Sequence, residues 1–171
     1  MKILIFTDSH SCNVSMACAV EREAPDMVLH LGDHTDDARE LQSVFPRLTV
    51  CAVRGNNDYF DREVPEHAVV TPDGVRIFLT HGHQEQVYVR EGKLVAQLAR
   101  EEGCGLAFFG HTHRMYLKRV NGVLVCNPGS ISLPRGGPAS YGRLTVENGQ
   151  PRLLELVNED GKLLGLEKFG Q

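Results

Sequence analysis

Apolar residues gather into short unbroken runs: ILIFT (3–7), MVLHL (27–31), LTVCAV (48–53), VRIFL (75–79) and LAFF (106–109), bounded by Gly, Pro or acidic residues. Runs of this length without polar alternation predict strands buried on both faces. Between them, residues 11–23, 36–45 and 91–102 carry apolar positions near helical spacing, and acidic residues open the last two. Strand and helix in alternation predict an α/β layer with parallel connections.

The second half changes pattern. Asn121-Gly122 and Asn148-Gly149 each separate two apolar runs, the signal of a tight antiparallel hairpin. The expected architecture is α/β: a parallel-rich sheet from the first half, a hairpin-built sheet packed face to face on it, and helices outside both, an αββα sandwich. The tail after Asn158 predicts a short, weakly held terminal element. No linker or repeat divides the chain, so residues 1–171 form one domain.

Composition narrows the setting. With 42% hydrophobic and 23% charged residues the chain can bury a sizeable core, and no apolar run approaches the ~20 residues that span a bilayer. The opening Met1-Lys2 leads straight into a strand, without a secretory h-region, which predicts a cytoplasmic protein. Cys12, Cys18, Cys51, Cys104 and Cys126 show no CxxC spacing and mostly lie in apolar stretches, as reduced core thiols do. A net charge of −4 and the lack of any Lys/Arg block predict no dedicated nucleic-acid surface, while leaving a homo-oligomer open.

The chemistry sits directly after the apolar runs: Asp8-Ser9-His10, Gly32-Asp33-His34, Gly55-Asn56-Asn57-Asp58, His81-Gly82-His83 and Gly110-His111-Thr112-His113. In an α/β sheet the carboxyl ends of the strands form the ligand edge, so these groups converge although far apart in sequence. Each tetrapeptide alone is an ordinary turn or helix start. Five together, all with imidazole, carboxylate or amide donors and no thiolate, point to divalent ions such as Mn²⁺, Fe²⁺, Zn²⁺ or Ni²⁺, and the donor supply suits two of them. Alternate residues of an extended segment face one side, so Asp8 with His10, and His111 with His113, can each present a pair.

These blocks, read as DSH, GD, GNND, THGH and GHTH, resemble the calcineurin-like metallophosphoesterase superfamily in order and type. The likeness runs from Met1 to about Ser130, and the short chain with its NPGS at 127–130 is most similar to the small prokaryotic phosphodiesterase branch. The resemblance implies that Asp8, His10, Asp33 and His113 hold one metal and that Asp33, Asn56, His81 and His111 hold the other, with Asp33 bridging and Mn²⁺ the leading candidate. It further implies in-line attack on a small phosphodiester by a metal-bridging hydroxide. Many superfamily members carry a His after the ligand Asn and the small branch often has Cys; here Asn57 stands in that place. Without a proton donor there, diesters or acidic leaving groups are favoured over ordinary monoesters.

Other residues carry weaker signals. His83 and His34 neighbour the ligand positions and are candidates to contact substrate or to serve structure. Asp58 is a candidate partner for a ligand His or a turn residue, and Arg54 and Arg135 are candidate phosphate contacts. His30, inside an apolar run, reads as a satisfied core residue; His67 carries no signal. The competing function is a non-catalytic protein-binding module on the same fold, as in the retromer subunit that resembles this branch but lacks part of the ligand set. All seven ligand positions here keep coordinating side chains.

Overall fold

Strand β1 (Lys2–Phe6) shows how the sequence builds layers. In the computed structural model, which describes residues 1–170, Ile3 and Ile5 point between two sheets while Leu4 and Phe6 point beneath two helices. Successive strand residues face opposite sides, so a strand covered on both faces takes an unbroken apolar run. After β1 come α1 (Asn13–Glu23), β2 (Met27–His30), α2 (Thr35–Val44), β3 (Thr49–Ala52), β4 (His67–Val70) and β5 (Ile77–Thr80). Then follow α3 (Val87–Arg90), α4 (Lys93–Glu101), β6 (Leu106–Phe108), β7 (Met115–Val120), β8 (Val123–Pro128), β9 (Ser140–Glu147), β10 (Gln150–Asn158) and β11 (Leu163–Lys168).

The six-stranded sheet has the order β11-β10-β9-β1-β2-β3, and the five-stranded sheet β4-β5-β6-β8-β7. β1, β2 and β3 are mutually parallel, as are β5, β6 and β8; the remaining pairings are antiparallel. Ile3, Ile5, Leu29, Ile77, Leu79, Leu106 and Leu144 meet between the sheets. Helices α1 and α2 cover the outer face of one sheet through Met16, Val20 and Leu41, and α4 covers the other through Val95, Ala96 and Ala99. Two mixed sheets packed face to face between helices match the expected sandwich.

The assignment of strands to sheets differs from expectation. Both hairpins form where Asn-Gly was found, with positive φ at Asn121, Gly122, Asn148 and Gly149 as a two-residue turn requires. They do not build a sheet of their own, however: one extends each sheet. Residues Val123 to Pro128 are all buried, which fits β8 for a central position beside β6 rather than an edge. The segment after Asn158 is also more than a loose end, because β11 pairs along β10 and Asn158 Oδ1 closes the turn by accepting from Asp160 N (3.1 Å) and Lys162 N (2.7 Å). Among the cysteines, Cys104 and Cys126 are buried, Cys12 and Cys51 half-buried, but Cys18 lies exposed on α1 and is no core thiol.

Candidate metal centre

The donors leave the ends of parallel strands from both sheets. Asp8 and His10 follow β1, Asp33 follows β2 and Asn56 follows β3; His81 follows β5, and His111 and His113 follow β6. Ligand atoms of Asp8, His10, Asp33 and His113 all lie within 4.8 Å of one another. Beside them, His81 Nε2 is 3.2 Å from Asn56 Oδ1 and 3.4 Å from Asp33 Oδ1, and the His111 ring meets His81 edge-on at 5.1 Å. All seven expected ligand positions are brought to one place.

Backbone carbonyls fix the tautomers of two of these rings. His81 Nδ1 donates to Leu31 O and His113 Nδ1 to Leu133 O, both at 2.7 Å. A carbonyl only accepts, so in each neutral ring the Nε2 lone pair turns inward. His113 Nε2 stands 3.4 Å from His10 Nε2 and 3.2 Å from Asp8 Oδ1. Asp8 Oδ1 is itself buried with no donor in hydrogen-bond alignment, whereas Oδ2 accepts from Thr7 Oγ1 (2.8 Å) and His111 N (3.0 Å). Buried acceptors facing a common point cost several kcal/mol unless a positive centre lies between them. Nitrogen and oxygen donors without thiolate suit a divalent ion of intermediate hardness.

Electrostatics favour an ionised Asp8 and neutral His10 and His111, while the Asp8 carboxylate favours the protonated form of His113. Burial pushes the Asp8 carboxyl up, but His113, His81 and the Thr7 hydroxyl together hold it below the ordinary carboxylate range. The His113 ring is raised by its nearness to Asp8, against burial. His111 is pushed down to about 4, first by burial and then by neighbouring His81, which leaves it neutral and able to coordinate at pH 7. His10 is also lowered, by burial, with Asp33 and Asp8 opposing.

Backbone strain falls on five of the seven candidate ligands. Asp8 (54°), His10 (43°), Asp33 (58°), His111 (65°) and His113 (58°) all have positive φ, a region that costs non-glycine residues of order 1 kcal/mol or more each and that clusters at functional sites. Glycines make room. A Cβ on Gly110 would overlap Thr7 Oγ1 and come within 2.9 Å of Asp8 Oδ2, and one on Gly55 would overlap Asp33 Oδ1.

Residues 1–149 match the family model for the calcineurin-like phosphoesterase superfamily domain. The chain belongs to that superfamily. A probable metallophosphoesterase of Bacillus subtilis is 33% identical over 152 residues, covering 86% of each chain. A phosphodiesterase of Methanocaldococcus jannaschii is 26% identical over 175 residues, covering 91% of this chain and 99% of its own. Among solved structures, a predicted phosphoesterase of Streptococcus pneumoniae superposes with a TM-score of 0.81 at 24% identity over 99% and 97% of the two chains. Vps29 of Entamoeba histolytica shares the fold at a TM-score of 0.74 and 24% identity, over 99% and 100%.

Within this superfamily domain, several residues that support the ligand loops were not singled out from sequence. Asp37, buried in α2, accepts from Ser9 Oγ (2.6 Å) and Ser11 N (2.8 Å), pinning the loop that carries Asp8 and His10. Since Ser9 gives its proton to Asp37, its oxygen accepts from His30 Nε2 (2.9 Å), and His30 Nδ1 accepts from Gly32 N (3.3 Å). At the end of β8, Asn127 Nδ2 donates to Gly110 O (2.6 Å), while Ser130 Oγ (2.8 Å) and Ser132 Oγ (3.1 Å) donate to Asp8 O. The NPGS turn after a sixth apolar run was the available signal.

His30 makes a pH dependence testable. Burial pushes this ring from 6.5 down to about 4, so the unfolded chain binds its proton at higher pH than the folded one. Its contribution is complete above pH 6.5 and is lost as pH falls from 6.5 to 4, amounting to about 3 kcal/mol. Denaturant unfolding of metal-free protein across that window should show this loss beside a similar one from His111, and His30→Gln, which keeps a donor toward Ser9, should remove the His30 share alone. An unchanged slope in the variant would refute the assignment.

The remaining candidates fall into distinct places. Asn57 donates to Asp33 twice, from its backbone N to Oδ1 (2.9 Å) and from Nδ2 to Oδ2 (2.7 Å), so it positions that carboxylate. His83 packs 5.4 Å from the His81 ring with its Nδ1 buried and unpartnered; burial, then His81, lowers it, so it is neutral at pH 7. His34 Nδ1 pairs with Ser11 Oγ (3.1 Å). Asp58 touches no ligand His: its Oδ1 accepts from His34 N (2.8 Å) and Thr35 N (2.9 Å), capping α2, and its Oδ2 accepts from Gly55 N (2.7 Å). Arg54 is held by Glu66 (2.5 Å), and Arg135 Nη1 donates to the Tyr88 hydroxyl (2.9 Å). His67, without a signal in the sequence, pairs with buried Glu85 (2.5 Å).

Proposed function

We propose that this chain is a dinuclear-metal phosphodiesterase acting on a small phosphodiester. The observation that carries the proposal is the inward-facing acceptor set, above all buried Asp8 Oδ1, which has no donor although His113 Nε2 and His81 Nε2 lie 3.2 and 3.9 Å away. Asp8, His10, Asp33 and His113 would hold one ion and Asp33, Asn56, His81 and His111 a second, with Mn²⁺ first and Ni²⁺, Zn²⁺ or Fe²⁺ also suited. Bound there, two divalent ions supply Lewis-acid charge for phosphoryl oxygens and an acidified water.

The chain's own residues orient this chemistry. Leu31 O and Leu133 O aim the imidazoles of His81 and His113, and Asn57 holds both oxygens of Asp33. Neutral His83 offers a hydrogen bond to a substrate oxygen rather than a proton. An amide at position 57 also has no proton to give, forgoing general-acid help typically worth about 10²–10⁴-fold. Diesters and acidic leaving groups need that help least, in keeping with the name of the archaeal relative. Within the described residues no helix is long and apolar enough to cross a membrane; a cytoplasmic enzyme remains the proposal.

The test titrates Mn²⁺, Ni²⁺, Zn²⁺ and Mg²⁺ into metal-stripped protein against bis(p-nitrophenyl) phosphate and p-nitrophenyl phosphate. The expected result is diester turnover exceeding monoester turnover, about 10²-fold or more lower in His111→Ala, and a gain on the monoester in Asn57→His. If no metal raised turnover above the His111→Ala level, the proposal would give way to a protein-binding role, the part played on a similar fold by the retromer subunit.

A further inference from the structure

The donor cluster opens at its Asn56 end into a recess of about 570 Å³ lined by Arg54, Asn56, Tyr59, Arg62, Glu66 and His83. Asn56 and His83 belong to the centre; the other four have no part in it. Tyr59 is 66% exposed and is backed by Phe60, 83% exposed, with ring centroids 4.0 Å apart. Two large aromatic rings in contact at a 38° tilt, exposed to solvent on the turn that delivers a ligand residue, are not packing groups. The charged groups are uneven as well. Arg54 is neutralised by Glu66 at 2.5 Å, whereas exposed Arg62 has no carboxylate partner among the described residues, so the recess carries net positive charge.

We infer that this recess is a subsite for one ester substituent of the substrate, an aromatic group carrying an anionic substituent, with the ring stacked on Tyr59 and the anion paired with Arg62. This subsite rests on the phosphoesterase proposal above. It would make Tyr59 and Arg62 specificity residues, acting on the group attached to phosphorus and not on the metal. Aromatic stacking of this kind changes affinity by about tenfold or less per ring, and an exposed guanidinium–carboxylate pair by a few-fold.

Equilibrium binding to the Mn²⁺-loaded chain tests it without turnover. Three probes are compared by calorimetry: methylphosphonate, phenylphosphonate and 4-carboxyphenylphosphonate. Affinity should rise several-fold at each step; Tyr59→Ala should abolish the first gain and Arg62→Ala the second, while methylphosphonate binding and Mn²⁺ stoichiometry stay unchanged in both variants. Equal affinity for methyl- and phenylphosphonate, or gains that survive the substitutions, would overturn the subsite alone. Failure of all three phosphonates to bind would also overturn the subsite, whereas the phosphoesterase proposal on which it rests falls only if the metal titration gives no diester turnover.

Discussion

Asp33→Ala is expected to lower diester turnover by about 10³-fold or more, equivalent to roughly 4 kcal/mol of lost transition-state stabilisation, and to cut bound metal to at most one ion per chain. In the proposed assignment Asp33 is the carboxylate common to both groups of donors; it lies 3.4 Å from His81 Nε2 and 3.9 Å from His10 Nε2. Its removal takes charge from each at once. Equilibrium dialysis with metal analysis, beside thermal unfolding of the metal-free forms, separates the causes. The metal-free variant should unfold within a few degrees of wild type, because one of several mutually facing acceptors has gone. A variant that kept full metal stoichiometry would refute the shared role.

The second large effect is expected at Gly110. Alanine there forces its methyl group into Thr7 Oγ1 and against Asp8 Oδ2, both buried and fixed by hydrogen bonds. Relief requires the loop after β6, which carries His111 and His113, to move away from Asp8. Overpacking of a rigid site typically costs 1–3 kcal/mol, occasionally more, and displacement of ligands by about 1 Å costs about 10²-fold in rate. Gly110→Ala should therefore lose metal affinity and activity together with stability, measured by denaturant unfolding and metal titration. Gly122→Ala makes the contrast: space around Gly122 is open, so it should show only the cost of its positive φ, with metal binding intact.

Much of this was legible because physical constraints act locally. A strand buried on both faces must be apolar throughout, and so β1, β2, β5 and β6 announced themselves. β3, an edge strand only half-buried, shows the same pattern because Val50 and Cys51 still pack against the two cores. The polar residues just beyond these strands could only lie at the carboxyl edge. Asn121-Gly122 and Asn148-Gly149 were readable because few pairs accept two positive φ values. What was hidden depends on partners distant in sequence. Nothing in VLVCNPGS says that β8 lies parallel to β6, and so Asn127 and Ser130 went unassigned beneath the ligand loops. Asn57 was read as lacking a proton to donate, and Asp58 as a His partner or a turn residue. That their amide and carboxylate meet Asp33 and the amino end of α2 could not be read, because those contacts are set by how β2 and β3 pack.

The origin of the donors has a mechanical consequence. Asp8, His10, Asp33 and Asn56 hang from the six-stranded sheet, and His81, His111 and His113 from the five-stranded one. An ion gripped by both sets is a cross-link between the two layers, closing a circuit from Asp8 to His113 as a disulfide would, but one made and broken by dilution. Any change in the inter-sheet core that lets the layers slide, even at Leu144 on the far side of β1, then registers as altered ion affinity. The ion becomes a gauge of how well the two halves of the chain are packed.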